Sequence, residues 1–192
     1  VPEFPVDHID ETLQGWKASL SAQLDLGGLY SRSHIAHKFK APFRSIHLRE
    51  SVSWRAQDLL EQSVKLYHDD YLLGARILLR SAIETIATLI YLNQITRKVL
   101  AGTLDFHAFS EKTSILLLGS RDDSTPYSAL NIMTVLQKCE SRYPGILNIY
   151  ALLSESAHLN YGGLSLGYST IDHDNDVVVY ENSGSRFFQI NT

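Results

Sequence analysis

Cysteine occurs once, at Cys139, in a chain of 192 residues. No disulfide can form within it, and a reducing cytoplasm is the expected home. Cys139 sits in an apolar run with no His or Asp at matched spacing, so it reads as a buried structural thiol rather than a nucleophile. A cationic excess is also missing: 17 Lys and Arg stand against 21 Asp and Glu, a net charge of −4 with His neutral. No global field therefore draws the chain to nucleic acid or to an anionic membrane. The longest apolar stretch is interrupted by Arg76, Arg80 and Glu84 and falls short of a membrane span. No basic start followed by an apolar run marks a secretory leader. The nucleotide-binding patterns GxxxxGKS/T and GxGxxG and the zinc-protease pattern HExxH do not occur. Metal sites fare no better. His34 and His37 share a helical spacing but lack a completing ligand, and His173, Asp174 and Asp176 read as a turn. We expect neither a metal nor a cofactor.

What is present is helical periodicity. Apolar residues at Ile9, Leu13, Trp16, Leu20 and Leu24 predict a first helix over about 7–25, capped by Asp7 and ended by Gly27 and Gly28. A loose region reaches Pro42. Its basic residues, from Arg32 to Arg55, form the one marked cationic concentration and read as a solvated connector. A second helix is expected from Ser45 or His47 to about Asp69, and a third, apolar on most sides and therefore surrounded by others, over 70–97. Shorter helices follow over 105–118 (capped by Asp105), 128–142 and 146–160. The ending changes character: LSLGYSTI faces VVVYE across His173–Asp176, and both arms are rich in β-branched and aromatic residues. That predicts a hairpin, marginal alone, which should pack on the helices or pair with another copy. The expected fold is mainly α, an antiparallel helical bundle with a C-terminal β-hairpin. It forms a single domain divided into an N-terminal helix and connector (1–45), a bundle core (46–161), and a hairpin with tail (162–192).

Two segments carry the chemistry. In the third helix Arg76, Arg80, Glu84 and Thr88 recur at steps of four, and each step turns a helix by roughly 400°. They draw a polar stripe along an apolar helix, where charges must reach water or pair with one another. Arg80 and Glu84 are spaced for an ion pair. The second segment, ILNIYALLSESAHLNY, ends in Ser154, Glu155, His158, Asn160 and Tyr161. If the helix persists, Ser154 and His158 share a face, and His can give and take a proton near neutral pH. No strand-borne elbow surrounds Ser154, so a hydrolytic serine is not expected. A bundle that joins the two stripes would make a site with Arg80, Glu84 and His158 at its centre and Arg76, Ser154, Glu155, Asn160 and Tyr161 around it.

ARILLRSAIETIATLIYL, followed much later by LLSESAHLNYGGL, resembles the HEPN-like helical domains of bacterial proteins over roughly residues 58–163. The resemblance implies an α bundle that dimerises. It also implies a role near nucleic acid, in many members metal-independent RNA cleavage in toxin–antitoxin or phage-defence systems, with a cognate antitoxin as partner. The family hallmark is an Arg four to six residues before a His. Here those positions before His158 are Leu152, Leu153 and Ser154, so Arg80 would have to supply the guanidinium from a neighbouring helix. On that reading His158 would act as acid or base at an RNA 2′-hydroxyl, Arg80 would stabilise charge on the phosphorane, and Glu84 would orient them. Two alternatives stand beside it. One is a non-catalytic dimerisation or interaction module in which these residues form a buried polar network. The other is a pocket between helices that holds an anionic ligand through Arg80.

Overall fold

The computed structural model describes residues 7–25 and 40–182. Within them the chain forms α1 (Asp7–Ser19), α2 (Lys40–His68), α3 (Leu72–Leu100), α4 (Phe106–Leu118), α5 (Ile132–Glu140), α6 (Ile146–Ala157) and the single turn α7 (Ser165–Tyr168). A two-stranded antiparallel hairpin follows, β1 (Ser169–Asp172) with β2 (Val177–Tyr180). The mainly α fold with a C-terminal hairpin is thus as expected. His34, His37 and the first half of the basic segment lie outside the described residues. From Lys40 onward that segment is not a connector but the opening of α2.

α3 is the axis of the bundle and packs against α2, α4, α5 and α6. Its Ala87, Tyr91, Leu92 and Ile95 meet Leu48 and Val52 of α2, Phe109 of α4, Val135, Leu136 and Cys139 of α5 and Tyr150 of α6 in one core. Cys139 is fully buried, its thiol donates to the Ala87 carbonyl at 3.3 Å, and burial pushes its pKa up. α1 is held more lightly. None of its side chains with described burial is buried, and it is tied to α2 by polar contacts. Lys17 reaches Glu61 at 3.0 Å, and just beyond the helix the Trp54 indole donates to the Ser21 carbonyl at 2.9 Å.

Several boundaries differ from the expected ones, each for a local reason. α1 stops at Ser19, short of Asp25. α2 begins at Lys40 rather than at 45–47, because Pro42 lies in the first turn, where a missing N–H removes no helical bond. α2 and α3 are separated by a left-handed Asp70 (φ 64°), with Tyr71 N–H on the Leu66 carbonyl (2.8 Å) and Asp70 N–H on that of Tyr67 (3.2 Å). This is a Schellman closure built on Asp instead of Gly. α3 ends three residues later than expected, in the same motif on Gly102 (φ 70°). The Asp105 cap forms as expected, accepting from His107 and Ala108 N–H. α5 starts at Ile132, not Ser128, because Asn131 caps it and Ser128 instead bridges to Ser120. The first half of the expected β arm is the helical turn α7, closed by Ser169 N–H on the Ser165 carbonyl.

Candidate functional site

The crossing of α3 and α6 brings the two stripes together. Arg76 donates through Nε to Ser156 Oγ and through Nη2 to the Leu152 carbonyl, both at 2.8 Å. One turn further along α3, Arg80 donates through Nε to Ser154 Oγ (2.9 Å) and through Nη2 to the Tyr150 hydroxyl (2.7 Å). One more turn on, Glu84 accepts from that hydroxyl at 2.8 Å. As α3 advances from 76 to 84, its partners on α6 run back from 156 to 150, so the helices are antiparallel and in step. The expected Arg80–Glu84 pair is present at 3.2 Å, and the Arg80 guanidinium also lies over the Tyr150 ring, 4.9 Å from its centre.

Electrostatics follow from this packing. Arg76 is buried, and burial lowers its pKa from the usual guanidinium value. Burial, then the Glu84 carboxylate that its hydroxyl serves, raises the Tyr150 pKa, so the phenol stays a proton donor through the neutral range. Ser154 and Ser156 pass their own protons back to the α6 backbone, at the carbonyls of Tyr150 (2.8 Å) and Leu153 (3.0 Å). Their oxygens are then free to accept from the two arginines. Thr88 takes no part, because its hydroxyl bonds the Glu84 carbonyl of its own helix.

His158 does not join this cluster. The helix ends at Ala157, and His158 is its cap in extended conformation (φ −97°, ψ 150°), so the face it was to share with Ser154 does not reach it. The imidazole is exposed and makes no hydrogen bond or ion pair to a described residue. Glu155 and Asn160 serve the turn instead. Asn160 Nδ2 donates to the Glu155 carboxylate at 2.6 Å, and Asn160 Oδ1 accepts from Gly163 N–H at 3.0 Å. Gly163 is held there by contact, since a Cβ on it would lie 1.9 Å from the His158 carbonyl oxygen. Tyr161 points into solvent.

Sequence reasoning missed Tyr150 and Ser156. Tyr150 was legible, being four residues before Ser154 and thus on its face. Ser156 was not, since only the helix crossing shows that it faces Arg76. A cleft of about 450 Å³ lies elsewhere, between α2 and α3, lined by Ser45, Ile46, Arg49, Ser53, Leu89, Leu92, Asn93 and Thr96. Arg80 is not in its wall. Among the described residues no group of three His, Cys, Asp or Glu could hold a metal, and no helix is long and apolar enough to cross a membrane. Comparison of the chain with protein-family models, with curated proteins and with solved structures found no match.

Proposed function

We propose that the chain is a non-catalytic helical interaction module that acts as a homodimer, with Arg76, Arg80 and Glu84 clamping α6 to α3. The observation that carries this reading is the engagement of Arg80. Its Nε and Nη2 are directed to Ser154, Tyr150 and Glu84 of its own chain. A guanidinium so held is a packing device first. RNA cleavage through Arg80 and His158 would need both side chains at one phosphate. His158 is instead carried out of the helix by its extended backbone. The resemblance to HEPN-like domains supports the dimerising bundle, and any RNA or antitoxin then enters as a binding partner rather than as a substrate. A single buried thiol suits a reducing cytoplasm.

The test is an RNA-cleavage assay in chelator with the wild type, His158→Ala and Arg80→Lys, beside their thermal melts. The expected result is no cleavage above background by any of them. His158→Ala should melt within about 2 °C of the wild type, because exposed substitutions away from special contacts shift stability little. Cleavage by the wild type that is lost in both variants would replace this reading with the ribonuclease one.

A further inference from the structure

We propose that β2 is the dimer edge: two copies pair β2 antiparallel about a twofold axis at Val179, making a four-stranded sheet in the order β1–β2–β2–β1. The proposal rests on the interaction-module reading and gives it a surface.

The hairpin is held mainly by its own strands. Among the described residues its strands pack on each other, and β1 packs on α7. All four residues of β2 are exposed, Val177, Val178, Val179 and Tyr180 at 47, 50, 43 and 79 %. A strand with apolar side chains exposed on both faces needs a partner. β2 also lacks the usual guards of a free edge, having no Lys, no Pro and no bulge in its register. Two strands alone are marginal, whereas four make a sheet.

The phase of the existing ladder fixes which backbone groups are open. Glu181 N–H bonds the Tyr168 carbonyl at 3.2 Å. Bonded and non-bonded pairs alternate along an antiparallel ladder. In the observed register Val179 and Val177 therefore bond inward to Thr170 and Asp172, and Val178 and Tyr180 turn their N–H and C=O outward. A twofold axis at Val179 sets Val178 of one copy against Tyr180 of the other. Every outward group of those two residues is then satisfied. The same register puts a valine beside a tyrosine ring across the strands, a favourable cross-strand pair. It also sets Glu181 against Val177 of the other copy, so no two carboxylates face each other along the paired strands.

In the four-stranded sheet Val178 and Tyr180 of both copies lie with Ile171 on one face, and Val177 and Val179 on the other, so each face carries a continuous apolar row. The occupant that this self-complementary edge fits is a second copy.

Sedimentation across a wide concentration range should show the 21.6 kDa chain as a dimer. Val178→Pro removes an outward N–H and no bond of the hairpin itself, so it should sediment as a monomer. Val179→Cys meets its twin at a non-bonded pair, where α-carbons lie about 4.5 Å apart, within disulfide reach. Mild oxidation should therefore convert it to a covalent dimer, while Thr170→Cys on β1 stays uncrosslinked. The native Cys139 is buried and adds no background. A monomeric wild type overturns the proposal, as does crosslinking of Thr170→Cys but not of Val179→Cys. If the wild type is dimeric but Val178→Pro leaves it so and Val179→Cys does not crosslink, the edge is wrong and the module reading stands. RNA cleavage in the assay above overturns that reading without touching the edge.

Discussion

Tyr150→Phe is the sharpest perturbation of the α3–α6 clamp, since it deletes one oxygen and keeps the ring. That oxygen donates to Glu84 at 2.8 Å and accepts from Arg80 at 2.7 Å, and the residue is 6 % exposed. Hydrogen bonds to charged groups contribute about 1.5–3 kcal/mol each when one partner is removed. Here the side chains of Arg80 and Glu84 remain 27 and 29 % exposed and stay 3.2 Å apart, so water and their mutual pairing recover part of the loss. The net cost should be about 1–2 kcal/mol. For a chain of this length that lowers the melting temperature by about 2–8 °C. The sign with pH is also fixed. A phenol whose pKa is raised by folding contributes stability that is full below its unfolded value near 10 and is lost as pH rises above it. The variant should therefore lose less stability than the wild type on the alkaline limb. The assay is denaturant unfolding of the wild type, Tyr150→Phe, Glu84→Gln and the double variant, repeated at neutral pH and above pH 10. Single losses that add without coupling, or a Tyr150→Phe protein within about 0.3 kcal/mol of the wild type, would refute the clamp.

Two other outcomes follow from local geometry. Gly163→Ala should melt well below the wild type, because its Cβ would lie 1.9 Å from a backbone oxygen that cannot swing aside, whereas Gly15→Ala, with open space around it, should not; differential scanning fluorimetry separates them. Hydrogen bonds from Lys65, Gln57 and Lys17 hold the Glu61 carboxyl at a pKa of about 2, so its contribution is present above the unfolded value near 4.5 and is lost as pH falls toward 2. Glu61→Gln should accordingly flatten the acid limb of a stability-versus-pH curve between those limits, and an unchanged limb would show that these hydrogen bonds, the largest of them from Lys65 on the same helix, are not formed in solution.

What could be read from the sequence depended on how local the cause was. The polar stripe on α3 needs only the pitch of a helix, so Arg76, Arg80 and Glu84 were found, and the ion pair between the last two with them. Their partners depend on where α6 crosses α3, which no spacing within one segment reveals; Ser156 is invisible until the helices are packed. Pro42 misplaced the start of α2 because a proline in a first turn and a proline before a helix look alike in sequence. The last bundle helix was expected to run to 160, yet it stops at Ala157 with His158 as its cap, and Gly163 returns to touch that residue's carbonyl. The shift is of only a few residues, but it decides the chemistry. An i, i+4 relation between Ser154 and His158 exists only while the helix lasts, and once the chain leaves it at Ala157 the imidazole is a surface group with no shared face. A functional reading built on two residues near a helix end is therefore only as good as the assigned end. The one built on α3, whose residues begin one full turn inside a helix packed on four others, does not carry that weakness.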